Sequence, residues 1–188
     1  MRRSPIALAV AIVSFLALAP SPAGAIADPP GMGPPARSAK DTHCIAEFDI
    51  TFVPGFSQTP TSGTFTTGGD TGTMVCDGQV NGYKVTGTGT RGEWGRYGVD
   101  GPNSCRHMQG KGDETWSLTM PTTGGPQHLT DFATVEYGPL QGGGLLGGTL
   151  ESKRMYGTFQ VTPLDGDCVT RPVTRAHVRC DEWIVEGR

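Results

Sequence analysis

The chain has 188 residues, a formal net charge of −3 at neutral pH and 29 glycines. This length is that of one domain. Without its first 27 residues the chain would hold 13 basic against 18 acidic residues. It would then have no basic cluster able to follow a phosphate backbone or an anionic membrane surface. This argues against nucleic acid as a partner.

The N-terminus has the pattern of a secretory signal peptide. Arg2 and Arg3 precede an apolar run from Ile6 to Ala19, and Ala25-Ile26-Ala27 forms an A-x-A cleavage site. The apolar run of about 14 residues is too short for a membrane span, which needs roughly 20. Residues 1–27 are therefore predicted as a signal peptide, cleaved after Ala27 or Ala25. We expect a secreted or cell-envelope protein with no stable membrane insertion after cleavage.

Residues 28–42 are rich in Pro and Gly and have little to bury, so they are predicted to be a disordered tether. The folded domain is expected to span residues 43–188. Its clearest strand runs from Cys44 to Phe52, where apolar and polar residues alternate as they do in a strand with one buried face. Further on, Asn81-Gly82 is a strong signal for a hairpin turn.

Val85 to Asp100 is predicted as one long strand with charge on its inner face. Period-two alternation places Arg91, Glu93 and Tyr97 on that face, with Trp94 on the other. Arg91 and Glu93 are two residues apart, so they can pair on one side of the strand. The run from Gly87 to Gly92 also matches G-x-G-x-x-G, but more strand pattern follows it where a dinucleotide site needs a helix.

Later segments alternate in the same way. In the segment from Glu114 to Met120, Trp116 faces inward and Glu114 lies on the same face at the start of the strand. In the segment from Gln127 to Tyr137, Asp131 and Tyr137 share one face. Two or three more strands follow, between Thr149 and Val185, and no window has a helical period with caps. The pattern predicts an all-β fold, an antiparallel up-and-down barrel of about eight strands. The short sequential connections favour this barrel over the alternative, a β-sandwich.

Five cysteines in an exported chain allow at most two disulfides. If the barrel closes, Cys44 in the first strand lies beside Cys180 in the last, which favours that pair. Cys76 and Cys168 are expected at the same rim and form the second predicted pair. Cys105 is then the free thiol.

Three segments resemble small exported actinobacterial proteins of the mycobacterial type, which have no assigned activity. They are Thr51 to Gly55, Gly89 to Gly98 and Val161 to Val173. The likeness covers most of the mature chain and implies no known site. In strand number and size the chain is also similar to barrels of the allene oxide cyclase type and to lipocalin-like carriers. That similarity implies a fold and carries no catalytic residue across.

The candidate binding residues are polar or aromatic side chains predicted to face inward. They are Arg91, Glu93, Tyr97, Glu114, Trp116, Asp131 and Tyr137. Buried charges need partners, so a sealed salt-bridge network explains these residues as well as a polar floor beneath an apolar cavity does. A one-residue slip in register would instead place them in solvent.

Three functions stay open. The first is the binding of a small amphipathic or hydrophobic molecule, which the sequence ranks first. The second is a cyclase or isomerase in which Glu93 or Glu114 moves a proton. The third is a structural or interaction module of the cell envelope that presents Cys105 to a partner. No catalytic motif is present, and neither a cofactor nor a metal is expected because the four histidines are scattered. The sequence does not determine the oligomeric state.

Overall fold

The structure is a computed structural model that describes residues 41–139 and 145–186. The predicted signal peptide and tether residues 28–40 lie outside the described residues. Thr42, predicted as the end of the tether, is already the first residue of a strand. The described part is built from strands and turns, and it contains no helix of the length and apolar character needed to cross a membrane.

In the described part of the chain, eleven strands form two sheets. They are β1 (Thr42–Phe56), β2 (Gly63–Thr66), β3 (Gly72–Asp77), β4 (Gln79–Val80), β5 (Tyr83–Lys84), β6 (Gly89–Tyr97), β7 (Gly110–Met120), β8 (Gln127–Pro139), β9 (Leu146–Glu151), β10 (Met155–Pro163) and β11 (Val173–Ile184). Strands β4 and β5 make a separate hairpin, and the other nine form one sheet. At the tip of the hairpin, Asn81 and Gly82 both have positive φ, as the predicted Asn-Gly turn requires.

The large sheet closes on itself. β1 pairs with β11 in antiparallel register, from Thr42 opposite Ile184 to Thr51 opposite Arg175. From β6 to β11 each strand pairs with the next, and β2 and β3 both lie between β1 and β6. Since β2 and β3 share one position, the result is a closed antiparallel barrel of eight strands. The predicted up-and-down barrel is confirmed, and the sandwich alternative is wrong.

The central strand is shorter than predicted. β6 covers Gly89–Tyr97, while Val85 makes only an isolated bridge with Thr122. Within β6 the predicted faces hold, because Arg91, Glu93 and Tyr97 are buried and Trp94 is 62% exposed. The register slip that would have placed the charged residues in solvent is therefore excluded.

The two halves of the barrel interior are filled differently. We call the end at which β1, β6 and β10 finish the upper end. The lower half is packed by fully buried side chains such as Met74, Leu118, Met120 and Met155. In the upper half the rings of Phe52, Phe56 and Tyr97 pack together, with centroids 4.4 to 5.9 Å apart. The polar cluster described below lies between these halves.

Both predicted disulfides are wrong. Cys44 pairs with Cys76, Cys105 pairs with Cys168, and Cys180 is the free, buried thiol. Closure does bring β1 beside β11, but Glu182 is the residue opposite Cys44 there, whereas β3 places Cys76 directly opposite it.

The second pair follows from the direction of the strands. Cys76 lies near the lower end of β3, while Cys168 belongs to the loop between β10 and β11 at the upper end. The loop between β6 and β7 is at the same end and supplies Cys105. Because Cys105 is bonded within the chain, it does not offer the free thiol predicted for attachment to a partner.

Candidate functional site

One guanidinium and three carboxyl groups meet inside the barrel. The Nη2 atom of Arg91, on β6, lies 3.0 Å from Oε1 of Glu182 on β11 and donates a hydrogen bond to it. The same atom is 3.5 Å from Oε2 of Glu93 on β6 and 3.5 Å from Oε1 of Glu114 on β7. All four side chains are at least nine-tenths buried. The cluster therefore joins three strands across the buried interior of the barrel.

Two aromatic rings hold the guanidinium group. Its Cζ atom is 5.7 Å from the ring centroid of Phe48 and 5.5 Å from that of Trp116. A cation at this distance is attracted to the electron-rich face of an aromatic ring, and more strongly so without solvent. Phe48 and Trp116 thus fix Arg91 in place, and the packed lower half lies beneath it.

Burial and mutual repulsion disturb the protonation of the carboxyl groups. The pKa of Glu93 is raised well above its ordinary value, first by burial and then by the charge of Glu114, although Arg91 opposes both. Burial raises the pKa of Glu114 to about 7 against the attraction of Arg91. Burial also raises the pKa of Glu182, again against Arg91.

The guanidinium group itself stays charged. Burial favours its neutral form, but the three carboxyl groups outweigh that effect and raise the pKa of Arg91. Glu182, at 3.0 Å, is its nearest counter-ion. At neutral pH the cluster therefore contains one ion pair and two further carboxyl groups, Glu93 and Glu114, that hold protons more tightly than exposed glutamates do.

Several buried polar atoms of the cluster and of the adjoining Trp116 have no hydrogen-bond partner among the described residues. They are Nε and Nη1 of Arg91, Oε1 of Glu114, Nε1 of Trp116 and Oε2 of Glu182. An unsatisfied buried polar group costs about 1 to 3 kcal/mol, and more when it is charged. Ordered water or a ligand can satisfy groups of this kind, and Glu93 and Glu114 are the carboxyl groups that face the cavity.

A cavity of about 50 Å³ lies directly above the cluster. Since one water molecule needs about 10 to 15 Å³ on this scale, there is space for a small organic group. The walls are mainly apolar. Aromatic rings from β1, β2 and β6 line one side, and aliphatic residues from β8 to β11, together with the rings of Tyr137 and Phe159, line the other. Glu93, Glu114 and Cys180 line the cavity, and Arg91 and Glu182 do not.

Glycines keep part of this space open. Gly95 and Gly112 lie on the inner face between Glu93, Glu114 and Tyr97. A Cβ at Gly95 would come within 2.1 Å of the Asp113 carbonyl oxygen. The close contact of β6 with β7 therefore requires glycine there, while Gly112 lines the cavity and adds no side chain to it.

The structure brings together most of the predicted site residues. Arg91, Glu93, Glu114 and Trp116 form the cluster, and Tyr97 and Tyr137 line the cavity above it. The hydroxyl groups of the two tyrosines are already engaged. Tyr97 donates to the carbonyl oxygen of Pro54, while Tyr137 donates to Asn103 and accepts from the Gly98 amide. Their rings, rather than their hydroxyl groups, are available to a ligand.

Asp131 was predicted to belong to this set, and it does not. Its carboxylate accepts hydrogen bonds from the amides of Phe132 and Arg154, which lower its pKa against the effect of burial. The reason is the unequal length of the strands. β9 ends at Glu151, opposite Thr134, so Asp131 faces the turn between β9 and β10 at the lower end of the barrel.

Sequence reasoning missed Glu182 and Cys180. The sequence predicts two or three strands between Thr149 and Val185, but that prediction assigns no inner face to them. Alternation within β11 places Val178, Cys180, Glu182 and Ile184 on one face, and all four are buried. The signal was present, although it could not show which pair of strands would bring Glu182 to Arg91.

The fold and the site define this chain as a closed antiparallel β-barrel with a charged cluster beneath an apolar cavity. The chain matches no model of a protein family, no curated protein and no solved structure.

Proposed function

We propose that the upper lumen binds a small, mainly apolar molecule whose polar group contacts Glu93 and Glu114. One observation carries this proposal: the buried carboxyl groups of Glu93 and Glu114 face an apolar cavity, and each has only a 3.5 Å contact with the single guanidinium group. A concave apolar site with a few converging polar groups is the usual form of a small-molecule site.

A salt-bridge network that only seals the barrel explains less. Such a network gains stability when charges are matched and every lone pair is satisfied. Here three carboxyl groups share one guanidinium, and the two that face the cavity are the two farther from it. The unmatched groups are therefore the ones that a ligand can reach.

We place this binding outside the cytoplasm, as part of the same proposal. The N-terminal sequence has the pattern of a signal peptide. Four of the five cysteines form disulfides, which persist in oxidising compartments. An exported barrel of this kind would carry or sequester its ligand in the cell envelope or the medium.

Cyclase or isomerase activity is the second candidate. The observation that favours it is the raised pKa of Glu114, about 7, since a group of this kind can both give and take a proton near neutral pH. Glu93 or Glu114 would then be the proton donor or acceptor, and the cavity would impose a shape on the substrate. The likeness to allene oxide cyclase-type barrels supports only the fold.

Native mass spectrometry of the protein purified from its own host tests the binding proposal. We expect an additional mass that disappears when Val135, on the cavity wall, is replaced by Phe. The matched control is Val53→Phe on the outer face, where the side chain is 60% exposed, and it should keep the additional mass. A protein that is consistently free of ligand, or equal occupancy in the two variants, would contradict the proposal.

A further inference from the structure

We propose that the ligand of the upper lumen is an organic cation, a small apolar body that carries an amine or a quaternary ammonium group. This inference rests on the proposed function and specifies the chemistry of the same site. Its basis is the placement of the carboxyl groups of Glu93 and Glu114 at the cavity floor, beneath a wall of aromatic rings.

The first step is the balance of charge. Arg91 is the single cation of the cluster, and its hydrogen bond to Glu182 at 3.0 Å makes one closely matched pair. Glu93 and Glu114 have only 3.5 Å contacts with the same nitrogen atom. When all three carboxyl groups are ionised, the cluster has an excess of two negative charges. A bound cation would reduce this excess.

The surrounding groups do not supply the missing charge. The titratable groups that face or act on Glu93 and Glu114 are Arg91, Glu182, Cys180, Tyr97, Tyr137 and, through Glu182, Asp181. Arg91 is the only cation among them. Burial raises the pKa of the Cys180 thiol, which therefore stays neutral. Within the described chain, the excess negative charge of the cluster can therefore be reduced only by a bound proton or by a ligand.

The second step is the aromatic wall. Phe52 lies nearly perpendicular to Phe56, at 86° with centroids 5.0 Å apart, and to Tyr97, at 85° and 5.9 Å. Phe56 and Tyr97 stack on each other with centroids 4.4 Å apart, and the ring surfaces that these contacts leave free line the cavity. An aromatic face attracts a cation, and it does so more strongly where solvent is excluded. The aromatic side chains of the wall and the carboxyl groups of the floor therefore both favour a positively charged ligand.

The third step is the comparison with other ligand classes. An anion would meet two carboxyl groups that already repel each other. A neutral molecule with an acceptor oxygen could bind only while those groups keep their protons. A cation favours their ionised form, so its binding must release protons. A neutral hydroxyl group can also donate to the ionised form, but it adds no positive charge. A preference for the charged probe, together with an affinity that rises with pH, therefore identifies a cation.

Isothermal titration calorimetry with three probes of one chain length distinguishes these classes. The probes are hexylamine, 1-hexanol and hexanoate. The amine keeps its charge below about pH 10, as a lysine side chain does. We expect hexylamine to bind at least about tenfold more tightly than the other two at about pH 8.5, and its affinity to fall between about pH 8.5 and about pH 5.5. Titrations in buffers of different ionisation enthalpy should show proton release.

The matched variants are Glu93→Gln and Glu114→Gln, alone and together, with Glu151→Gln on the exposed outer surface as the control. The preference for the amine should be lost in the double variant and kept in the control. Circular dichroism will show whether the double variant folds. If it does not, the comparison of the three probes on the natural chain and on the single variants still distinguishes a cationic ligand from the other classes.

Each remaining outcome has a definite meaning. Tighter binding of 1-hexanol or hexanoate, equal binding of hexylamine and 1-hexanol, or an amine affinity that falls as pH rises from about 5.5 to about 8.5 would overturn the cation assignment and leave the binding site standing. Failure of all three probes to bind would count against the proposed function as well.

Discussion

Replacing Glu114 by Gln should change how the stability of the barrel depends on pH. Glutamine has nearly the same shape but carries no charge, so the packing around the cavity is kept. Burial raises the pKa of Glu114 from 4.5 to about 7 in the folded chain. A carboxyl group whose pKa is higher in the folded than in the unfolded chain favours the folded state less once it is ionised.

The size of the effect follows from these two values. Below about pH 4.5 the group is protonated in both states and has no effect. As pH rises from about 4.5 to about 7 the folded state loses stability, and above that range the loss is complete. Since each unit of pKa corresponds to about 1.4 kcal/mol, the loss amounts to about 3 kcal/mol. The Glu114→Gln variant avoids this part of the loss.

Urea unfolding at about pH 5 and about pH 8 measures this difference, with Glu151→Gln on the exposed surface as the control. The natural chain and the control should become less stable between the two pH values. Glu114→Gln should lose less, although the raised pKa of Glu93 leaves it some dependence in the same direction. A variant whose stability falls as steeply as that of the natural chain would refute the reasoning.

Two other predictions concern the buried cation Arg91 and the disulfide between Cys105 and Cys168. Arg91→Met should cost about 3 to 5 kcal/mol in urea unfolding near neutral pH, because it leaves buried carboxyl groups without a cation. The same change at exposed Arg96 should cost much less, and equal losses would contradict the structure. Peptide mapping should find Cys105 linked to Cys168 and should find Cys180 alkylated only after unfolding. The disulfide between Cys105 and Cys168 joins residues 63 positions apart. Its removal by Cys105→Ser should therefore lower the free energy of unfolding by about 4 kcal/mol, and a loss below about 1 kcal/mol would contradict this disulfide.

Local patterns allowed the fold and part of the site to be predicted. Alternation in the segment that became β6 placed Arg91 and Glu93 inside, because successive side chains of a strand point to opposite faces. The Asn81-Gly82 turn was recognisable because it needs two residues that tolerate positive φ. Short sequential connections were enough to indicate a meander, and a meander of eight strands closes.

The rest depends on register and strand length, which local patterns do not contain. A closed barrel gives each strand two neighbours, so Cys44 could have met a partner on either side. The register places Cys76 opposite it on β3 and Glu182 opposite it on β11. Glu182 reaches Arg91 across 91 positions of sequence for the same reason. The prediction for Asp131 was wrong because β9 ends before it reaches the level of that residue, and the sequence pattern does not show where a neighbouring strand ends.

A crystal structure of the protein soaked with hexylamine tests the central claim most directly. The probe should lie in the upper lumen, with its nitrogen atom about 3 Å from the carboxyl oxygens of Glu93 and Glu114 and its chain against Phe52 and Tyr97. An upper lumen filled by side chains, or a probe bound only outside the barrel, would contradict the claim.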